Sequence, residues 1–283
     1  VQGDVTDPAS IAGAVQGCEA VVHAAGVPRP TTYATFHGVH VEGTRHVARA
    51  AKGAGARMFI HIASHAVVFG RQDLEGDESL PYPVRFVDAY SETKALGEQA
   101  ALAESTTNFR TISLRPGTVW GPGDTTILPT MCKLARGLGI PIVGDGSNLE
   151  STTYIEHIPL AVTGALAALQ RADLGGRVYF LSDPDVVTFK QIIGGMVEAA
   201  GVRPRFMRVP RMLAEPGAWA LDTLTRSAGL PIPLALFGVR IAQTSRRWVT
   251  DRAQRELGWN PTVTFAEGMR RLREWSSARA AKG

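Results

Sequence analysis

Apolar runs alternate with amphipathic segments along the first half of the chain. Residues 19–26 (EAVVHAAG) and 57–64 (RMFIHIAS) are short and apolar, as the buried strands of a parallel sheet are. Between them, residues 37–56 place apolar side chains at helical spacing until two glycines end the pattern. A second helix is predicted from about Tyr90, and a strand that breaks into a Pro/Gly loop follows it. This order predicts βαβ units in a parallel sheet that helices cover on both faces.

The second half of the chain has a more mixed pattern. It predicts an amphipathic helix at 158–172, a short strand at 177–182 and a helix whose N-cap is Thr188. The last helix is basic, and Thr264 followed three residues later by Glu267 has the spacing of a capping box. We expect a boundary between two lobes near residue 120, which the chain crosses more than once.

Composition and charge exclude several classes of protein. The 283 residues are 45% hydrophobic and 20% charged, with 30 Gly and 17 Pro, which is typical of a soluble globular protein with many tight turns. The formal charge of +4 comes from dispersed arginines, without the basic runs interleaved with aromatic residues that favour nucleic-acid binding. Cys18 and Cys132 have no spacing typical of a disulfide framework or a zinc site, so we expect a reducing, cytoplasmic environment and no metal.

The sequence contains no run of about 18 apolar residues, so we expect no membrane span. The nearest candidate, residues 229–242 (GLPIPLALFGVRIA), is short and contains two prolines and an arginine. We interpret it as a buried helix or a wall of a substrate lobe. The opening residues, VQGDVTDP, have the pattern of a strand end followed by a helix cap, so we expect the sequence to be a fragment.

Three predicted strand ends carry unusual residues: 23–26 (HAAG), 63–70 (ASHAVVFG) and 115–121 (RPGTVWG). Ligands of open α/β sheets bind beyond the carboxyl ends of the strands. Small residues at the first of these ends would let the pyrophosphate and ribose of a dinucleotide approach the backbone closely. The alternative is that they only allow tight packing of helix on sheet.

Tyr90 and Lys94 are four residues apart in YSETK, so a helix would place both on one face. A free phenol has a pKa of about 10. A neighbouring ammonium and a cationic nicotinamide ring would lower that pKa and permit proton transfer near neutral pH. The alternative is a surface pair without such an effect, but the two preceding βα units and the following RPGTVWGPGD favour the proton-transfer pair.

These motifs resemble those of the extended short-chain dehydrogenase/reductase superfamily, which includes sugar-nucleotide epimerases and dehydratases and the 3β-hydroxysteroid dehydrogenases. The similar stretches run almost from end to end: GDVTD, VVHAAG, VEGT, YSETK, LRPGTVWGPGD, VGDGSN, YIEHI and DRAQRELGWNPTVTFAEGMRR. The last stretch is far more specific than YxxxK. The resemblance implies an α/β fold with a Rossmann-like doubly wound parallel sheet in residues 1–120, incomplete at its N-terminus. Residues 121–283 would form mainly a smaller, mixed α/β substrate lobe, with some segments returning to the sheet.

The resemblance also implies roles for particular residues. Tyr90 would be the catalytic acid/base, and Lys94 its ribose-binding partner that lowers its pKa. Asp4 would meet the exocyclic amine of adenine. The residues that would contact the cofactor, NAD or NADP, are Asp4 and Val5 at the adenine, Ala24, Ala25 and Gly26 beside the pyrophosphate and ribose, His40, Tyr90 and Lys94, and Pro116, Gly117, Thr118 and Val119 beside the nicotinamide.

The sequence departs from the pattern of the superfamily in three places. The GxxGxxG fingerprint is absent, which would place the first strand upstream of Val1, together with the residue that selects NAD or NADP. The catalytic Ser/Thr position falls on His65, with Ser64 one residue earlier, so either side chain could act on the substrate oxygen. An Asn of the superfamily pattern aligns with His40. The sequence leaves open whether His40 makes the contact that this Asn makes.

Hydride transfer at a secondary alcohol or ketone of an apolar, sterol-like small molecule is the function that the resemblance favours. The apolar residues 218–238 would suit such a substrate. One alternative is a nucleoside-diphosphate-sugar epimerase or dehydratase, in which Arg203, Arg205 or Arg208 would serve the diphosphate. Another is a catalytically impaired protein that only binds the nucleotide. A homodimer is possible.

Overall fold

The computed structural model describes residues 2–28, 31–171, 173–227, 239 and 242–281. The helices within these residues are α1 (Pro8–Ala12), α2 (Tyr33–His37), α3 (Thr44–Gly53), α4 (Ala89–Ala103), α5 (Ile127–Arg136), α6 (His157–Arg171), α7 (Phe189–Ala199), α8 (Arg211–Ser227), α9 (Asp251–Leu257) and α10 (Phe265–Ala280). The strands are β1 (Ala20–His23), β2 (Met58–Ile62), β3 (Leu74–Gly76), β4 (Arg110–Pro116), β5 (Thr118–Trp120), β6 (Ile140–Val143), β7 (Leu149–Glu150), β8 (Thr152–Tyr154), β9 (Val178–Leu181), β10 (Val187–Thr188), β11 (Phe206–Val209) and β12 (Arg246–Trp248).

The main sheet has four parallel strands in the order β1-β2-β4-β9. Its register places His23 beside His61, and His61 beside Ser113. The connections between these strands carry helices, as the alternating pattern of the sequence predicts. The predicted α/β fold with a parallel sheet is therefore confirmed.

Alternate residues of the strands face different helices because successive side chains of a strand point to opposite faces. On one face, Ile60 packs in a cluster with Ala165 of α6 and Leu257 of α9. On the other face, Phe59 packs with Ala48 of α3 and Ala101 of α4. The sheet is thus covered on both sides, which explains why its strands are apolar throughout.

A separate cluster lies in the second half of the chain, where α5, α7 and α10 pack around Trp120. Two-stranded sheets form here in the pairs β5–β8, β6–β11 and β7–β10, whereas β9 joins the main sheet and β12 pairs with β3. Thr188 is the N-cap of α7, as predicted, and it also forms a complete capping box with Gln191. Thr264 accepts the backbone N–H of Glu267 at the start of α10, but the carboxylate of Glu267 binds arginines of its own helix instead of closing the box.

The helical segment after β1 changes its winding at Gly38–Gly43, which form a π-helical turn between α2 and α3. Such turns are often found at functional sites. A β-carbon on Gly43 would lie 2.8 Å from Cγ2 of Val5, so this glycine lets the turn pack against the chain's first residues.

Most of the apolar stretch 229–242 lies outside the described residues, apart from Val239 and Ala242, and so does the end of the longer stretch 218–238. Within the described part of the chain, every helix is too short or too polar to cross a bilayer. Cys18 and Cys132 are both free thiols.

Candidate active site

The first two turns of α4 meet the chain at the end of β2. Asp88 is the N-cap of α4, and its carboxylate accepts a hydrogen bond from the helix backbone at 2.8 Å. Lys94 Nζ donates to the carbonyl oxygen of Ile62, the last residue of β2, at 3.0 Å. Ser64, two residues further along, brings its hydroxyl beside the phenol of Tyr90 and lowers the pKa of that phenol. The structure therefore brings Ser64, Tyr90 and Lys94 together.

The phenol of Tyr90 lies in a largely apolar, aromatic setting. Its ring meets Phe36 and His40 edge-on, with centroids 5.8 and 5.6 Å away. Burial raises the pKa of Tyr90, and the Ser64 hydroxyl lowers it by less. The pKa of Tyr90 is thus not lowered by Lys94 in the protein without a cofactor. Removing the phenolate from water raises this pKa by more than the Ser64 hydroxyl lowers it.

The ammonium of Lys94 is buried. Burial lowers the pKa of Lys94 to about 8, and the charge of Glu98 acts in the opposite direction. Lys94 is therefore largely charged at neutral pH. Ile62 accepts one of its three N–H groups.

His65 lies apart from this group, in the 3₁₀ turn His65–Val68. Its Nδ1 accepts a hydrogen bond from Nε1 of Trp248 at 3.0 Å, and its ring meets Phe69 edge-on. Burial, aided by the charge of Arg246, holds the pKa of His65 well below its usual range. The contacts of His65 are those of a packed core histidine, whereas Ser64 contacts Tyr90.

His40 joins the loop after β1 to α4. Its Nε2 accepts the backbone N–H of Val27 at 3.0 Å, and its Nδ1 lies 3.0 Å from the Thr93 hydroxyl. The Thr93 hydroxyl donates to the carbonyl of Ala89, so Nδ1 carries the proton. Burial and the charge of Lys94 lower the pKa of His40 to about 3, so the ring is neutral. His40 thus holds residues 24–27 against the helix that carries Tyr90.

Most of the residues predicted at the adenine and pyrophosphate lie at the surface, whereas Val5 is half-buried and packs against the cluster that contains Phe59. Ala24, Ala25 and Gly26 are exposed at the end of β1. Asp4 is also exposed; its Oδ1 accepts the backbone N–H and the hydroxyl of Thr6, and these hydrogen bonds lower the pKa of its carboxyl. Small exposed residues at the end of β1 and an exposed, ionised carboxylate before α1 are therefore available to a ligand.

The loop after β4 is held by β8. The N–H of Gly117 donates to the Thr153 hydroxyl at 2.8 Å, and a β-carbon on Gly117 would overlap the carbonyl oxygen of Ser151. Thr118 donates from its hydroxyl to Glu150 at 2.7 Å. Position 117 therefore requires glycine. Pro116 and Val119 lie on either side, in β4 and β5.

The residues present fit a nicotinamide dinucleotide. Lys94 keeps two N–H groups beyond the one that Ile62 accepts, which suits ribose hydroxyls. The exposed strand end at residues 24–26 has no bulky side chain to obstruct a pyrophosphate. The ionised carboxylate of Asp4 can accept a hydrogen bond from an exocyclic amine.

Sequence reasoning missed Glu98, whose buried carboxylate lies one turn beyond Lys94 on α4. The spacing Tyr90, Lys94, Glu98 repeats every four residues and was available in the sequence. It also missed Trp248, which engages His65 from a strand 183 positions away and leaves no local signal.

The chain matches a family model and is similar to several named proteins. The model of the 3-beta hydroxysteroid dehydrogenase/isomerase family matches residues 1–211. A 2-alkyl-3-oxoalkanoate reductase of Stenotrophomonas maltophilia is 31% identical and aligns with 98% of this chain, which covers 86% of that protein. A 3beta-hydroxysteroid-dehydrogenase/decarboxylase of Arabidopsis thaliana is also 31% identical, and the chain covers 65% of its length.

Solved structures share the fold at lower identity. The UDP-glucuronic acid 4-epimerase of Bacillus cereus, in complex with NAD, superimposes with a TM-score of 0.73 at 17% identity. The superposition covers 98% of this chain and 80% of the epimerase.

Proposed function

The chain belongs to the 3-beta hydroxysteroid dehydrogenase/isomerase family, and we propose that it transfers a hydride between a nicotinamide cofactor, NAD or NADP, and a secondary alcohol or ketone of an apolar small molecule. The observation that carries this proposal is the contact of the Tyr90 phenol with Ser64, one helical turn from the buried ammonium of Lys94. Such a cofactor, when bound, accepts or supplies the hydride.

Tyr90 exchanges a proton with the substrate oxygen in this proposal. Its raised pKa keeps the phenol protonated at neutral pH, which is the form that ketone reduction requires. Ser64 hydrogen-bonds the same oxygen and polarises the carbonyl. Lys94 holds ribose hydroxyls and adds positive charge beside the phenol, which favours the phenolate that alcohol oxidation requires.

The other predicted residues would bind the cofactor. Asp4 and Val5 would meet the adenine, and residues 24–26 would lie beside the pyrophosphate. His40 holds that strand end in place through Val27. Residues 116–119 would border the nicotinamide.

An apolar substrate is supported by the names of the relatives. One relative is named as a reductase of 2-alkyl-3-oxoalkanoates and another as a 3β-hydroxysteroid dehydrogenase. Both names describe an oxygen function on a molecule that contains an alkyl chain or a steroid. We extend this substrate class to the present chain.

We also propose the division into a nucleotide-binding part, residues 1–120, and a mainly substrate-binding part, residues 121–283. A homodimer and a cytoplasmic location complete this proposal. Neither nucleic acid nor metal has a role in it.

The test is Tyr90→Phe in the protein at its full natural length. Turnover of sterol and 2-alkyl-3-oxo substrates with NAD(H) or NADP(H) should be abolished, while the affinity for the cofactor changes little. Tyr33→Phe is the matched control, because Tyr33 also contacts α4, through Glu92, but is exposed. Full activity of Tyr90→Phe would rule out the proposed acid/base.

The same assay separates the alternatives. Turnover of nucleoside-diphosphate sugars without added cofactor would identify an epimerase. Cofactor binding without any turnover would identify an impaired, nucleotide-binding protein.

A further inference from the structure

Tyr90, Lys94 and Glu98 follow one another at four-residue spacing along α4, and the side chain of Glu98 is completely buried. We propose that Glu98 is a positioning residue for the reaction, which keeps the Lys94 ammonium charged and fixes the end of β4 against the catalytic helix. This inference rests on the proposed function, and it assigns Glu98 no contact with substrate or cofactor.

Both carboxylate oxygens of Glu98 accept hydrogen bonds on the side that faces the sheet. Oε1 accepts the Ser113 hydroxyl at 2.6 Å and Nε of Arg115 at 3.0 Å. Oε2 accepts Nε and Nη2 of Arg115 at 3.1 and 2.7 Å, and the Tyr82 hydroxyl at 2.7 Å. A bidentate pair with arginine fixes direction as well as distance. Glu98 is therefore held in one place in the protein interior.

On the side of the helix, Glu98 lies one turn from the ammonium of Lys94. Burial lowers the pKa of Lys94 to about 8, and the charge of Glu98 raises it. Residues four apart on a helix are neighbours on its surface. The carboxylate therefore opposes the desolvation that lowers the pKa of Lys94.

The other titratable groups around Lys94 cannot replace this charge. His23 of β1, His40 of the π-helical turn and His61 of β2 approach the ammonium from three elements. Burial lowers the pKa of each, and the charge of Lys94 lowers it further, so all three rings are neutral. Burial likewise keeps Tyr90 protonated. Glu98 is the anion that acts on Lys94 among these groups.

Arg115 extends the effect of Glu98 to the proposed cofactor loop. Its guanidinium lies over the rings of Phe180 and Tyr82, 5.2 and 5.6 Å from their centroids. The next residue along the chain is Pro116, which begins the loop 116–119. The ion pair therefore sets the position of this loop relative to the helix that carries Tyr90.

A simpler interpretation is a buried ion pair that only joins helix to sheet. Glu150 and Arg246 form such a pair elsewhere, at 3.1 Å and with a similar degree of burial. The two interpretations differ in one respect. A structural pair contributes to stability, whereas a positioning carboxylate also changes the titration of Lys94.

The experiment is an NMR titration of lysine side chains labelled with ¹³C in the full-length protein, with the Lys94 signal assigned by Lys94→Met. In Glu98→Gln we expect the titration midpoint of Lys94 to fall by about one pH unit. Glu150→Gln is the control: it should lower the melting temperature to a similar extent and leave the midpoint of Lys94 unchanged. An unchanged midpoint in folded Glu98→Gln would overturn the proposal.

A second variant covers the case in which Glu98→Gln does not fold. Tyr82→Phe removes one hydrogen-bond donor from the carboxylate and keeps its charge. The midpoint of Lys94 should then rise, in the opposite direction to Glu98→Gln. No movement in this variant would equally overturn the proposal.

The titration needs neither substrate nor cofactor, so its result does not depend on the assay of Tyr90→Phe. If the function is as proposed, ketone reduction by Glu98→Gln should also decline at a lower pH than in the unmodified enzyme. Glu98→Asp, which restores the charge, should recover part of this difference.

Discussion

Gly97 of α4 approaches the carbonyl group of His40 so closely that a β-carbon at position 97 would overlap the carbonyl oxygen. The hydroxyl of Thr44 donates to the same oxygen at 2.6 Å. The helix that carries Tyr90 and Lys94 is thus packed directly against the π-helical turn that contains His40. The distance between these elements depends on the absence of a side chain at position 97.

Gly97→Ala should therefore push α4 away from the π-helical turn. We expect the free energy of unfolding to fall by about 1–3 kcal/mol, as in other overpacked interiors, and turnover to fall with it. Urea denaturation and steady-state kinetics measure both effects. Gly53→Ala at the end of α3 is the control, since a β-carbon there meets no atom within 4 Å. Equal stability of the two variants would contradict the prediction.

Ser64 and His65 should respond differently to substitution. Ser64→Ala removes the hydroxyl beside the Tyr90 phenol, so kcat should fall roughly 10²-fold or more, while the melting temperature changes little. His65→Ala leaves Nε1 of Trp248 without its acceptor and creates a cavity. We expect a loss of about 2–4 kcal/mol in the free energy of unfolding, with most turnover retained by the folded protein.

Calorimetry and kinetics on the same two samples decide between these roles. The opposite pattern, a folded but inactive His65→Ala beside an active Ser64→Ala, would assign the substrate contact to His65.

The sequence predicts the helix bearing Tyr90 and Lys94 because apolar periodicity and four-residue spacing are local properties. It does not predict the different contacts of Ser64 and His65, because these depend on the 3₁₀ turn that directs His65 towards Trp248. It also does not reveal that the pKa of Tyr90 is raised in the protein without a cofactor. Burial sets that direction, and burial depends on the tertiary packing of residues distant in the chain.

Lys94→Met should stabilise the protein while removing activity. The lowered pKa of Lys94, about 8 instead of 10.5, corresponds to a cost of roughly 3 kcal/mol for burying the ammonium. Loss of the hydrogen bond to Ile62 offsets about 1 kcal/mol of the gain. We expect the free energy of unfolding at pH 7 to rise by about 1–3 kcal/mol.

The dependence on pH identifies the cause of this gain. The unfolded chain binds the proton of Lys94 more tightly than the folded protein does, so the cost is complete below pH 8 and disappears towards pH 10.5. Urea unfolding at pH 7 and pH 9.5 should show the gain shrinking at the higher pH. Lys133→Met, on the exposed side of α5, controls for the loss of a lysine. A Lys94→Met protein less stable than the parent at pH 7 would refute the prediction.

Mild acid should destabilise the protein through His23 and His40. Burial lowers the pKa of His23 to about 4 and that of His40 to about 3, whereas an unfolded histidine titrates near 6.5. The unfolded state therefore binds more protons below pH 6.5, and stability that is complete above this pH is lost as the pH falls towards 4 and 3. At pH 5 the two rings together account for about 4 kcal/mol of lost stability.

The variant His40→Asn isolates one of these two contributions. It removes a ring that must stay neutral to accept the N–H of Val27, so it should lower stability at pH 7 but reduce the loss between pH 7 and pH 5 by about 2 kcal/mol, half of the part due to His23 and His40. His23→Asn should reduce that loss by a similar amount. Urea titrations at several pH values provide the measurement. A parent protein equally stable at pH 7 and pH 5 would contradict the prediction, because it would show that burial does not hold the pKa of His23 and His40 well below 6.5 in the folded state.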